Sequence, residues 1–334
     1  MLNFLISSEE DNQTIISFLK RRFKNTSLSL IYKLLRTKKI QVNQQNCRYY
    51  HYRLKEGDQI IIKDKWIKVS VKQNSLPLKS NTNISIIYED QNILLVLKEH
   101  NQEIYNKNDP NCLDNQVQYY LYQQNPEKYQ QQSRNFFVPV ALHRLDKLTK
   151  GLVIYPKNAS TKKILYNSIN DKSKIAKNYL AICENYQQIQ IPQFIQGWIT
   201  KNEDKQKMEF SCQKQTNNPA FKYCALTMQK LSQQGIYQLY KITLDTGRKH
   251  QIRTIFSYYQ SPIVGDKKYG SKEDLKDKIL LFAYQLEFNN LPSPLSYLNK
   301  KIFSAGRLKE DLINKFSSGE RNYKNNQKFK LYFL

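Results

Sequence analysis

The sequence predicts an α+β protein: a small N-terminal module of two helices and short strands, then a larger β-rich domain with flanking helices. Three observations carry this. Two apolar stripes at helical spacing precede short β-branched runs between residues 12 and 62. From Ile84 onward, short apolar runs recur, separated by polar turns. A compact polar motif, His143-Arg144-Leu145-Asp146-Lys147-Leu148-Thr149-Lys150-Gly151, lies between two apolar runs, Phe136 to Leu142 and Leu152 to Tyr155. Both runs read as strands. The chain has 334 residues, 40% of them hydrophobic, enough for one large domain or two modest ones with a real core.

In the first element, Ile15, Phe18, Leu19 and Phe23 mark one face of a helix over residues 12–24, with Lys20, Arg21, Arg22 and Lys24 at its end. Ser27 is suited to cap a second helix, whose stripe is Leu28, Ile31, Leu34 and Leu35. Lys33, Arg36, Lys38 and Lys39 lie off that stripe. Strands follow at Ile40 to Asn43 and Gln59 to Ile62, with a turn at Glu56-Gly57-Asp58. Residues 1–72 hold 15 Lys or Arg against six acids, a local excess of nine charges. A charge run is usually a solvated face. Two adjacent basic helix faces on so small a unit point to RNA, with Arg21, Arg22, Lys33, Arg36, Lys38 and Lys39 as the expected phosphate ligands. The stretch from Thr14 to Ile62 resembles the S-four-like (αL) RNA-binding fold, most closely in Ser29 to Arg36, Ile40 to Asn43 and Leu54 to Asp58.

Residues 72–83 lack periodicity and contain Pro77, as in a linker. Ile84 to Leu97 carries two apolar runs split by Glu89-Asp90-Gln91-Asn92, a hairpin pattern. Residues 106–135 are polar; a helix is expected around Leu113 to Tyr122, then a mobile loop. Ser160 to Ser168 reads as a helix, and Tyr179 to Ile182 as a strand entered from a basic segment. Residues 201–218 form a polar excursion, and Ile236 to Leu244 alternates as a strand. It leads into Thr246 to Arg253, where Arg248, Lys249, His250 and Arg253 are cationic or can become so, and Gly265 to Gly270 is a glycine-bracketed loop.

Composition narrows the function. The formal net charge is +25, and the pI is near 9.6. Such an excess points to a polyanionic partner, nucleic acid first and an anionic membrane second. An AT-rich genome inflates lysine, but it does not remove acids. The chain has 24 Tyr and 15 Phe interleaved with basic residues, and aromatic faces stack on unpaired bases. Five cysteines stand singly, with no C-x-x-C and no histidine at metal-ligand spacing. They read as reduced thiols, hence a cytoplasmic protein without a bound metal. No stretch reaches the ~18 apolar residues of a membrane span, and no targeting peptide is evident.

Within the central motif, Arg144 and Asp146 are two apart, so on an extended segment both side chains share a face. Two readings stand: a strand-end ion pair, or a site carboxylate beside an arginine. The motif and the later stretches together resemble the RluA-type pseudouridine synthases, over roughly Ile84 to Phe303. The resemblance rests on His143-Arg144-Leu145-Asp146 with Thr149 and Gly151; on Lys177 to Ala181; on Gly247-Arg248, His250 to Arg253 and Pro262 to Asp266 with Tyr269-Gly270; and on Leu280 to Ala283. It implies a mixed sheet, an RNA uridine substrate, no cofactor, and a monomer without membrane attachment. It also implies large-subunit ribosomal RNA as the target, with transfer RNA as the alternative. By the same resemblance Asp146 is the catalytic carboxylate, Arg253 its ion partner, and Tyr179 the residue stacked on the base. Arg144 would hold the flipped nucleotide's phosphate or its vacated place, and Leu281 would supply apolar wall. His143, Thr149, Lys177, Arg248 and His250 are expected to contact substrate.

Two departures stand out. The family's lysine-proline-x-glycine is here Lys98-Glu99-His100-Asn101, expected to alter a loop edge. The serine usual before the motif's glycine is Lys150, expected to shift RNA affinity. A hydrolase built on Asp146 with His143 or His250 would need a nucleophile elbow or a metal spacing, and neither is present. A decayed synthase would have lost Asp146, Tyr179 or Arg253, and all three are present. The domains expected are 1–71 (RNA-binding), 72–83 (linker), 84–306 (catalytic) and 307–334 (basic tail).

Overall fold

The computed structural model describes residues 1–6, 10–23, 26–64, 76–80, 84–134, 137–214 and 220–318. They form two compact units: Met1–Leu78 with Gln118–Pro139 and Asn158–Ser160, and Lys79–Val117 with Val140–Lys157 and the chain from Thr161 onward. Much of the expected linker, and residues 319–334 of the expected tail, lie outside the described residues.

In the first unit, β1 (Leu2–Leu5), α1 (Ile15–Arg22), α2 (Leu28–Arg36), β2 (Ile40–Val42), β3 (Gln45–Asn46) and β4 (Gln59–Ile62) follow in order. The four strands make an antiparallel sheet, β1-β4-β2-β3. Both helices are capped at the start. Thr14 Oγ1 accepts from Ser17 N–H and Ser27 Oγ from Leu30 N–H, each at 3.3 Å. At eight and nine residues, both fall short of the ~12–15 an isolated helix needs. Their stability comes from packing: Ile15, Phe18, Leu19, Phe23, Ile31, Leu34 and Leu35 form one core with Ile40, Ile60 and Ile62. Each such side chain contributes about 1.5–3 kcal/mol on burial. Leu28 is the exception in its stripe. It opens α2, one turn before the core contact at Ile31, and stays exposed.

The second unit holds β5 (Ser85–Glu89), β6 (Ile93–Lys98), β7 (Lys150–Pro156), β8 (Ile175–Glu184), β9 (Phe194–Asn202), β10 (Lys207–Ser211), β11 (Lys222–Gln234), β12 (Tyr237–Leu244), β13 (Leu281–Phe288) and β14 (Lys301–Ser304). The strands form one mixed sheet in the order β10-β9-β11-β12-β8-β13-β7-β6-β5, with β14 on β13. Every pairing in it is antiparallel except β13 with β7. The helices are α3 (Leu113–Gln124), where the two units divide, α4 (Pro126–Arg134) in the first unit, α5 (Ala159–Ser168), α6 (Gln251–Tyr258) and α7 (Leu308–Ser318).

Gly151 makes the single parallel pairing close. Its φ is +147°, and a Cβ there would stand 2.4 Å from Ala283 O. Glycine is needed at this point for the approach of β7 to β13, and it is a strand residue rather than a turn.

Three expectations fail locally. Residues 137–142 form no strand: Pro139 has no N–H for a ladder, Ala141 N–H donates to Asp114 Oδ1 at 3.1 Å, and Leu142 N–H to Ile154 O at 2.8 Å. The expected mobile loop after α3 contains α4. Pro126 opens it, and Asn125 Oδ1 accepts from Lys128 N–H at 2.9 Å. Residues 307–318 are not a tail. Leu308, Leu312 and Ile313 pack with Leu180, Ile182, Leu239 and Tyr284, so the catalytic unit extends past 306 to Ser318.

Candidate active site

Asp146 sits on the connection into β7, closed by a turn in which Thr149 N–H donates to Asp146 O at 3.0 Å. The Lys98 side chain lies beneath it, fully buried at the end of β6. Its ammonium donates to the carbonyls of Glu99 (2.7 Å), Gln102 (2.9 Å) and Lys147 (3.0 Å). Burial lowers its pKa to about 8, against the attraction of Asp146 and Glu99. This lysine ties the first hairpin to the residue after Asp146. The departures at Glu99 and Lys150 belong together: the two side chains form an ion pair at 2.7 Å. Lys150 is therefore engaged with Glu99. The pair is partly exposed, worth no more than about 1 kcal/mol.

Facing Asp146 is the start of α6. His250 adopts a left-handed conformation at the cap, φ +55°, which turns the chain so that Arg253 points inward. Arg253 Nη1 donates to Asp146 Oδ2 at 3.1 Å, while Nε and Nη2 grip Asp266 at 2.7 and 2.9 Å. The guanidinium also lies 5.0 Å from the centre of the Tyr269 ring. Burial opposes its charge, but the bonds to Asp266 and then Asp146 outweigh that and hold its pKa above the ordinary arginine value. Asp266 is wholly buried, and Asp146 is 21% exposed. Of the two carboxylates on this arginine, only Asp146 is open to the cavity.

His250 Nε2 is 3.7 Å from Asp146 Oδ1. Burial pushes its pKa down to about 4, overriding the pull of Asp146. The ring is neutral near pH 7, so this contact is not an ion pair. Its Nδ1 is 2.9 Å from Tyr269 Oη. His143 is also neutral: burial lowers its pKa to about 3, and Nε2 accepts from Ile154 N–H at 3.4 Å.

Tyr179 comes from β8, paired with Ala283 of β13 and Ile242 of β12. It is 7% exposed. Burial, and next Asp146, raise its pKa far above the usual phenol value, so the hydroxyl keeps its proton. Lys177 is buried, its ammonium donating to Ile169 O at 2.6 Å. Arg248 is exposed, with Nε donating to Tyr223 O at 2.9 Å.

All ten expected residues meet. Arg144, Asp146, Thr149, Tyr179, Arg248, His250, Arg253 and Leu281 line a narrow recess of about 70 Å³. It is continuous in its lining with a cavity of about 810 Å³ that adds His143 and Lys177. The sequence reading missed Asp266, Tyr269, Gln251 and Lys98 as parts of the site's support. Gln251 is buried; its Oε1 accepts from Arg248 N–H and Thr246 Oγ1, and its Nε2 donates to Ala225 O. A signal for Asp266 existed: a buried arginine needs a carboxylate, and the glycine-bracketed loop holds one acid.

In the first unit, Lys33, Arg36, Lys38 and Lys39 are exposed as expected. Arg22 is not. It pairs with Glu10 at 2.9 Å, is 12% exposed, and lies 5.2 Å from the Phe4 and Phe18 rings. Arg21 is half-buried and donates to Gln13. Both were expected to face phosphate; both are drawn onto the module because their α1 positions adjoin its core.

A family model for RNA pseudouridylate synthase matches residues 92–258. A Mycoplasma capricolum protein, described as an uncharacterized RNA pseudouridine synthase, is 37% identical over 306 residues, covering 90% of this chain and 96% of its own. Ribosomal large subunit pseudouridine synthase C of Buchnera aphidicola (from Acyrthosiphon pisum) is 29% identical, with 81% of each chain covered. Ribosomal large subunit pseudouridine synthase D of Borreliella burgdorferi is 31% identical, covering 70% of this chain and 72% of its own. With a sheet, a motif order and a family match that agree, the chain belongs to the RluA-type RNA pseudouridine synthases and is an isomerase.

Proposed function

We propose that Asp146 is the catalytic carboxylate, acting on a uridine flipped out of its RNA, and that the target lies in large-subunit ribosomal RNA. One observation carries the assignment: Arg253 is clamped by a buried carboxylate and turns its remaining N–H to a second one that solvent can reach.

Isomerisation breaks the N1–C1′ bond and forms C5–C1′, with a proton lost at C5 and one gained at N1. The base must leave the stack and stay captive while it rotates. A carboxylate oxygen serves either route, attack on C1′ or removal of a 2′ proton. Asp146 Oδ2 is held by Arg253, while Oδ1 lies 3.7 Å from His250, beyond hydrogen-bond reach and free for substrate. Tyr179 and Leu281 wall the recess, suited to holding a planar base. A tyrosine that keeps its proton favours stacking and hydrogen-bond donation over proton abstraction. Arg144, exposed at the rim, suits a phosphate or the place the base vacates.

The ribosomal target draws support from the relatives named synthases C and D; transfer RNA is the second reading. The N-terminal module, read as S-four-like, supplies affinity through Lys33, Arg36, Lys38 and Lys39. The reading makes the protein a cytoplasmic monomer. Pseudouridine mapping in total RNA tests it, comparing cells with the gene, without it, and with Asp146→Asn. Expected is loss of one or more large-subunit positions in the deletion, unrescued by Asp146→Asn, whose rate on purified RNA drops by at least about 10²–10⁴-fold. Loss confined to transfer RNA overturns the target, and an active Asp146→Asn protein overturns the carboxylate.

A further inference from the structure

The cavity is larger than the chemistry requires. The recess around Asp146 occupies about 70 Å³, and the cavity that shares part of its lining about 810 Å³. That lies near the upper end of the roughly 300–1,000 Å³ of small-ligand clefts, more than one pyrimidine nucleoside fills. Two of its lining residues have no part in the isomerisation: Tyr105 and Tyr166, which are 71% and 69% exposed. A single exposed tyrosine is ordinary. Two in one cavity beside a catalytic recess are not.

Both rings are held on firm backbone. Tyr105 follows the buried Ile104, and its loop is tied to α3 by Leu113 N–H to Glu103 O at 2.9 Å and Asp114 N–H to Ile104 O at 2.8 Å. Tyr166 projects from α5, whose Leu165 and the following Ile169 are buried in the sheet's core. The same cavity is lined by the exposed cations Arg144, Lys147, Arg248, Lys249 and Lys268, against Glu103 and Asp146 as its carboxylates. Cations facing a backbone, with sequence-tolerant aromatic faces among them, are the chemistry that holds single-stranded nucleic acid.

We propose that the outer cavity is a stacking cradle for unpaired nucleotides flanking the target uridine, with Tyr105 and Tyr166 as its platforms. This rests on the reading that Asp146 acts on a flipped uridine, and it names the substrate class: RNA whose neighbouring bases are free, as in a loop or an opened strand. In a duplex each base is already stacked on its neighbours and has no face to offer.

The test is equilibrium binding of the full-length protein, at fixed salt, to a uracil-rich RNA oligomer carrying 2-aminopurine beside its central uridine. The oligomer is used single-stranded and annealed to its complement. Expected is quenching of 2-aminopurine and tighter binding for the single strand. Tyr166→Ala and Tyr105→Ala each weaken it about tenfold, while the phenylalanine variants retain binding and quenching. The proposal is overturned if the double alanine variant keeps wild-type affinity and quenching, or if duplex binds as tightly as single strand. The readout needs no turnover. A protein that stacks the probe through these tyrosines while its Asp146→Asn variant still forms pseudouridine overturns the Asp146 reading alone. Unchanged KM in the double alanine variant overturns the cradle alone.

Discussion

Arg22 and Arg253 are near twins. Each is a buried guanidinium paired with a carboxylate that is itself buried, Glu10 for one and Asp266 for the other. Each also lies over aromatic side chains: Phe4 and Phe18 at 5.2 Å, Tyr269 at 5.0 Å. Arg253 donates a further N–H to Asp146, which faces the cavity. Burial, pairing and stacking thus describe a structural arginine as well as a functional one. On the proposed reading, what marks the active site is the carboxylate Asp146, held by Arg253 yet open to the cavity.

The largest effect should come from exchanging each arginine for methionine. Removing one partner of a buried pair costs about 3–5 kcal/mol, because the other charge is left uncompensated. Arg22→Met should take that from the N-terminal module in chemical denaturation, yet leave single-turnover rates on a short saturating RNA unchanged wherever the protein remains folded. Arg253→Met should cost a similar amount and also abolish turnover. Equal loss of turnover in both would erase the distinction drawn above.

A smaller effect tests the support under Asp146. Lys98 titrates near 8 when folded and near 10.4 when unfolded. Between those values the unfolded chain binds the proton more tightly, so this group adds stability as pH rises, on the order of 1.4 kcal/mol per pH unit. Below about 8 both states are protonated, and its contribution is flat. In parallel denaturation series, the stability of wild type relative to Lys98→Met should therefore climb from about pH 8 to 10. A constant difference would place the Lys98 pKa at its ordinary value and sever its coupling to the site.

The smallest effect concerns the exposed cations. Among the described residues, Lys33, Arg36 and Lys39 have no carboxylate partner like the one that fixes Arg22, so salt should compete with their contacts. Changing the three to Gln should flatten the salt dependence of RNA binding by roughly 0.7–0.9 per lost contact. Arg22→Gln, by contrast, should leave the slope alone. A filter-binding series across salt concentration separates the two.

Much of this was legible because it is local. Ser27 three residues before Leu30, the stripe Ile31, Leu34, Leu35, and the alternation into Leu244 depend on neighbours within a turn or a strand, and they form as read. The motif 143–151 and the segments holding Tyr179 and Arg253 were legible as ordered residue types, and they meet in one cavity. The failures share a different cause. Pro139 interrupts a run that is apolar and β-branched, because a ladder needs an N–H there. Arg22 sits among lysines and arginines in sequence, but only the fold brings Glu10, Phe4 and Phe18 around it. Glu99 and Lys150 look like two unrelated departures until β6 and β7 pair and place them 2.7 Å apart. Asp266 is 13 residues from Arg253, and Asp146 is 107. Residue order and periodicity thus determined the two N-terminal helices, those near Leu113 and Ser160, and most strands, since short-range spacing sets which side chains share a face; the members of the site were legible through the resemblance of the ordered motifs to a known family. The tertiary structure alone decided which cations are clamped and which are free, because that depends on carboxylates and rings brought from distant parts of the chain and on the water they exclude.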